Sequence, residues 1–167
     1  HAISKLSHYH FTSTEKSRER LIKMGEIPEN VYVTGAPGLD EIKNITLIDR
    51  GLLLHKYGLQ SDKPYLLLLF HPVVQQIQSL RKQIENVMKS VLSSGLQVLV
   101  LMPNSDSGGS IIASVIRSYE SQEKIKIIVH APRLEFLSLI ANAEILVGNS
   151  SSGIIEAASL GTPVLNI

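Results

Sequence analysis

Short apolar runs alternate with longer stretches in which apolar positions recur every three or four residues. The runs predict strands over 9–12, 31–34, 65–70, 97–101, 126–129, 145–147 and 163–167. From Tyr65 onward they are almost continuously apolar, the pattern of parallel strands covered on both faces. Between them lie helical stripes. Ile77, Leu80, Ile84, Val87, Met88, Val91 and Leu92 share one helical face, which Gly95 ends. Ile111, Ile112, Val115, Ile116 and Tyr119 form a second stripe, and Leu134, Leu137, Ile140 and Ala141 a third. Strands alternating with helices predict βαβ units and an α/β, doubly wound parallel sheet of Rossmann-like type.

Residues 36–63 break the rhythm. Ala36-Pro37-Gly38 reads as a turn, and the segment from Leu39 to Leu59 is helix-like with no strand. Ser61-Asp62-Lys63-Pro64 restarts the alternation. The expected organisation is a domain tail over 1–36, a linker with helix over 37–62, and a second, incomplete domain over 63–167. The chain opens without a start Met, in a helix-like stretch, and stops on an apolar strand, so it is read as a fragment of a longer protein. No internal repeat or low-complexity tract is present.

Composition narrows the partners. The 167 residues are 44% hydrophobic and 19% charged, with a net charge of +1. That balance describes a soluble globular protein with no field to recruit nucleic acid or a membrane surface. The absence of Cys rules out disulfides and thiolate metal sites and fits a reducing, cytoplasmic setting. No apolar run approaches the length of a membrane span.

In an open parallel sheet, ligands bind beyond the carboxyl ends of the strands. Four predicted strands end in small or polar turns: His71-Pro72-Val73, Pro103-Asn104-Ser105-Asp106-Ser107-Gly108-Gly109, His130-Ala131-Pro132 and Gly148-Asn149-Ser150-Ser151-Ser152-Gly153. All four should share one edge. The last joins a strand to a predicted helix, so its free N–H groups, the Ser150 and Ser151 hydroxyls and the helix dipole suit an anion; an ordinary helix cap is the plain alternative. His71 reads either as a partly buried His bonded to a carbonyl or as a phosphate donor and proton shuttle. Asn104 and Asp106 read as ligand contacts or as caps for a helix starting near Ser110. Glu156, read as over one turn into the next helix, could accept from a ribose hydroxyl pair or simply face solvent. His130 reads as structural. His8 and His10 share a strand face, but no acidic third ligand lies near, so no metal site is assigned. Ser150 lacks the elbow and the partners of a triad nucleophile.

Together these turns resemble the hydrolysing UDP-N-acetylglucosamine 2-epimerases of sialic acid biosynthesis. The matching segments are Lys5-Leu6-Ser7-His8-Tyr9-His10, Thr34-Gly35-Ala36-Pro37, His71-Pro72-Val73, Pro103-Asn104-Ser105-Asp106, residues 148–153 with Glu156, and Gly161-Thr162-Pro163-Val164. They cover essentially the whole chain in order. The non-hydrolysing relatives carry His-Arg-Arg-Glu-Asn at the His71 turn and Asp-Ser-Gly-Gly at Asn149-Ser150-Ser151-Ser152, so both departures favour the hydrolysing branch.

The resemblance implies half of a two-domain glycosyltransferase-B-type fold with its site in the interdomain cleft. It implies anti elimination of UDP to a 2-acetamidoglucal, then hydration with inversion at carbon 2 to give N-acetylmannosamine. By motif, Ser150 and Ser151 would hold the diphosphate and Glu156 the ribose hydroxyls. Ala131 and its neighbours would frame the uracil, His71 would assist departure of UDP, and Asn104 and Asp106 would line the cleft. No cofactor and no metal are implied. The expected partners are UDP-N-acetylglucosamine or a related UDP-2-acetamido sugar and, in the complete protein, further copies in a dimer or tetramer. The family's essential carboxylates lie upstream of residue 1, so the fragment alone is expected to bind UDP weakly and not to turn over. A glycosyltransferase-B-fold UDP-sugar glycosyltransferase and a non-catalytic nucleotide-sugar-binding module are the alternative readings.

Overall fold

A computed structural model covers residues 1–167; Glu41, Ser105 and Asp106, and the side chains of Lys43 and Val74, lie outside the described residues. The chain divides into two compact units, His1–Asn44 and Ile45–Ile167.

The first unit carries helix α1 (Ala2–Leu6), strand β1 (His10–Thr12), helix α2 (Glu15–Lys23), strand β2 (Val31–Val33) and the single-turn helix α3 (Pro37–Asp40). Thr14 starts α2 by accepting the Ser17 N–H at 3.2 Å. β1 and β2 pair in parallel, with His10 opposite Val31. His10 is buried, and its Nε2 lies 3.2 Å from Glu26 Oε2. Lys5 Nζ lies 2.7 Å from the other Glu26 oxygen. His10 is therefore tied to a carboxylate while His8 is exposed, so the strand does not present them as a ligand pair. Among the described residues no group of three His, Asp or Glu is placed to hold a metal.

The second unit is a five-stranded sheet with helices on both faces. Its elements are helix α4 (Arg50–Lys56), strand β3 (Tyr65–Leu69), helix α5 (Leu80–Ser93), strand β4 (Gln97–Leu101), helix α6 (Gly109–Arg117), strand β5 (Ile125–Ile128), helix α7 (Arg133–Asn142), strand β6 (Ile145–Gly148), helix α8 (Glu156–Leu160) and strand β7 (Val164–Asn166). The order is β5-β4-β3-β6-β7, and every pair is parallel. The chain builds outward from β3 to β5, then returns to lay β6 on the other side of β3. That reversal places a topological switch point between β3 and β6.

All five residues of β3 are buried, and they alternate between two cores. Leu66 and Leu68 face Leu80, Ile84 and Met88 of α5 and Ile112 and Ile116 of α6. Tyr65, Leu67 and Leu69 face Leu53 and Leu54 of α4, Leu139 and Ile140 of α7 and Ala157 of α8. Each such leucine contributes roughly 1.5–3 kcal/mol of hydrophobic burial, and the two-sided demand explains why the strand shows no polar alternation.

The helix-like stretch before β3 is broken. After α3 come a 3₁₀ turn at Ile42–Asn44 and an irregular segment, until Asp49 accepts the Leu52 N–H at 3.0 Å and starts α4. Arg50 then staples this helix to the sheet. Its guanidinium donates to the carbonyls of Asn142, Ser61 and Lys63 at 2.6, 3.1 and 2.9 Å and lies 5.6 Å from the centre of the Tyr65 ring. Among the described residues no helix is long and apolar enough to cross a membrane.

Candidate functional site

The carboxyl ends of β3, β4 and β5 converge on a hollow of about 330 Å³. His71, Met102, Asn104, His130, Ala131 and Phe136 are among the residues that line it. His71 leaves β3 after the buried Phe70, Asn104 leaves β4 after the buried Met102, and Ala131 lies just beyond β5. The structure thus brings His71, Asn104 and Ala131 together from separate strands. Asp106 lies outside the described residues. His130, read as structural from the sequence, is exposed on the rim of the hollow.

The helix beyond Asn104 starts within one residue of the expected position, but it is not capped by Asn or Asp. α6 begins at Gly109, and its N-cap is Gly108 at φ +96° with no side-chain cap. A Cβ on Gly109 would stand 2.5 Å from the Asn104 carbonyl oxygen. Glycine lets the start of α6 pass close to the Asn104 carbonyl.

β6 ends at Gly148, whose φ is +145°. A Cβ there would stand 1.8 Å from the Leu69 carbonyl oxygen. Only glycine lets β6 meet the end of β3 this closely. The next residue crosses the gap. Asn149 Oδ1 accepts the His71 N–H at 2.8 Å, and Asn149 Nδ2 donates to the His71 carbonyl at 2.9 Å. The Ser-rich turn therefore adjoins the hollow through the backbone of His71, although Ser150, Ser151 and Glu156 lie outside the hollow's lining.

The turn itself departs from the expected helix N-terminus. Ser151–Gly153 is a 3₁₀ turn, with the Ser150 hydroxyl accepting from the Ser152 N–H. The N–H groups of Gly153, Ile154 and Ile155 donate to carbonyls within the turn. α8 starts only at Glu156 and has five residues, too few for a substantial dipole. The hydroxyls of Ser150 and Ser151, half-buried and exposed respectively, are the side-chain donors this turn offers. Glu156 is the first residue of α8 rather than a residue beyond its first turn. Its side chain is 15% exposed, and its Oε1 lies 3.7 Å from Arg133 Nη1.

Sequence reasoning missed two residues that organise this edge. Asn149 was seen only as part of a small polar turn, and its type was the available signal, since a side-chain amide can both donate and accept. Arg133 carried no local signal, because its partner is on another helix.

Known proteins resemble this chain over its whole length. The family model described as UDP-N-acetylglucosamine 2-epimerase matches residues 1–167. The chain is 48% identical over its full length to a UDP-N,N'-diacetylbacillosamine 2-epimerase (hydrolyzing) of Legionella pneumophila. It is 33% identical, again over its full length, to a UDP-N-acetylglucosamine 2-epimerase of Neisseria meningitidis. It spans 44% of the length of each. A solved structure of S. aureus MnaA with UDP matches 98% of this chain and 43% of its own, at a TM-score of 0.76 and 20% identity, and so shares the fold. The chain belongs to the UDP-N-acetylglucosamine 2-epimerase family.

Proposed function

We propose that this chain is the nucleotide-binding part of a hydrolysing 2-epimerase acting on a UDP-2-acetamido sugar. The observation that carries this is the convergence of His71, Asn104 and Ala131 on one hollow, with the Ser150-Ser151 turn tied to His71 by Asn149. In this reading Ser150 and Ser151 hold the diphosphate, Glu156 accepts from the ribose hydroxyls, and the hollow beside Ala131 and Phe136 receives the uracil. A base from outside this chain removes the carbon 2 proton while the bond from carbon 1 to the diphosphate oxygen breaks. UDP leaves with the electron pair. Water then adds at carbon 1, and a proton returns to carbon 2 on the opposite face. Negative charge gathers on the diphosphate as the bond breaks, so donors fixed around it stabilise the transition state more than the ground state. In this reading His71 supplies one such donor.

The complete protein would work as a homo-oligomer in the cytoplasm and feed sialic acid or a related nonulosonic acid. The Legionella pneumophila relative is named for UDP-N,N'-diacetylbacillosamine, which supports testing that substrate beside UDP-N-acetylglucosamine. The test is proton NMR of the complete protein with each sugar nucleotide. Free 2-epimerised sugar together with UDP is the expected result. A 2-epimerised product still bearing UDP would overturn the hydrolysing reading, and unchanged spectra with both would overturn the substrate class.

A further inference from the structure

We propose that Asn149 is a positioning residue for His71 and that its neutral carboxamide is needed because its donor and its acceptor are both in use. The inference rests on the reading of His71 as a contact to the nucleotide diphosphate.

The β3–β6 ladder closes at the pair Leu69 and Gly148. One further main-chain bond, from Asn149 N–H to the Leu69 carbonyl at 3.2 Å, extends it. Beyond that point both strands have ended and a side chain takes over the ladder's role. The Asn149 amide meets the N–H of His71 at 2.8 Å and its carbonyl at 2.9 Å. Two bonds to the two polar groups of one residue fix that residue's orientation as a main-chain rung would. Pro72 restricts His71 further, because its ring disfavours helical backbone in the preceding residue. With the backbone held at both sides, the imidazole direction is reduced to a choice of rotamer.

The chemistry of the clamp is selective. An Asp at this position would still accept from the His71 N–H. Its second oxygen would then oppose the His71 carbonyl oxygen, exchanging a hydrogen bond for repulsion. It would also add negative charge at an edge read as a diphosphate site. Beside the His71-Pro72-Val73 turn size alone is therefore insufficient, so Asn149→Asp is expected to weaken UDP despite conserving volume. The relatives with Asp at this position also differ at the His71 turn.

The test is a double-mutant cycle in the complete protein, with UDP as the probe and calorimetry as the readout. The proteins are the wild type, His71→Ala, Asn149→Ala, Asn149→Asp and the two double variants with His71→Ala. Thermal midpoints report folding in parallel. The expected result is that either change at Asn149 weakens UDP about tenfold when His71 is present and less than about twofold when His71 is already Ala, the coupling expected of residues acting as one unit. Equal losses in both backgrounds would show that Asn149 acts independently of His71 and would overturn the inference. Should Asn149→Ala fail to fold, Asn149→Asp decides the question by the same comparison. If His71→Ala leaves UDP affinity unchanged, the reading of His71 itself fails, and the inference falls with it.

Discussion

Arg133 and Glu156, the first residues of α7 and α8, face each other with Nη1 and Oε1 3.7 Å apart. The pair links the start of the helix after β5 to the start of the helix after β6. Glu156→Gln is expected to weaken UDP roughly tenfold and to abolish preference for UDP over 2′-deoxy-UDP, since an amide is the poorer acceptor for a hydroxyl pair. Calorimetry with the two nucleotides measures both effects. Arg133 is partly exposed, so Arg133→Gln should change stability by less than about 1 kcal/mol.

Gly148 sits directly against the end of β3. Gly148→Ala sets a methyl group against the Leu69 carbonyl oxygen at a backbone angle that side chains rarely adopt. The expected cost is about 3 kcal/mol or more, read as a lower urea midpoint. Gly161→Ala is the control. It has a φ of +73° with open space around it, so its cost should stay near about 1 kcal/mol.

Much of the architecture was legible in the chain. The two cores around β3 made the apolar runs nearly continuous, and the stripe from Leu80 to Val91 marked α5. Once strands and helices alternate, the strand ends must share an edge, so His71, Asn104 and Ala131 could be grouped without coordinates. The Asn149 clamp could not be seen, because hydrophobic period describes only neighbours along the chain, and its partner is 78 residues away. The 3₁₀ turn at Ser151–Gly153 was hidden for another reason. Ser and Gly suit a helix cap and a 3₁₀ turn equally, so residue type alone does not separate the two.

Arg50 tests the staple beneath the site. Arg50→Met keeps the aliphatic stem but leaves the carbonyls of Asn142, Ser61 and Lys63 without their guanidinium donor. A loss of about 1–3 kcal/mol is expected in urea unfolding. UDP affinity of the folded fraction should be unchanged, because α4 lies away from the lining of the hollow.

Glu135 supplies a pH test. Its hydrogen bond to Lys56, and a second from the Tyr57 hydroxyl, hold its carboxyl below the ordinary glutamate range. The folded form therefore binds a proton less readily than the unfolded form. The resulting stabilisation is present at neutral pH and is lost as pH falls through the ordinary glutamate range towards the depressed folded value. The difference in urea midpoint between wild type and Lys56→Met should be largest near pH 7 and shrink below about pH 4. A difference independent of pH would place the effect of Lys56 outside this ion pair.

The placement of β6 beside β3 also governs how the molecule acquires its site in time. β4 and β5, each reached from the preceding strand through one helix, can dock soon after β3 forms, whereas β6 must close a loop that includes both of them. Until it does, one edge of the central apolar strand stays open to other chains, and the two halves of the candidate site are not yet neighbours. During refolding, nucleotide binding should therefore return with the slowest phase, making bound UDP a reporter of completed assembly rather than of collapse.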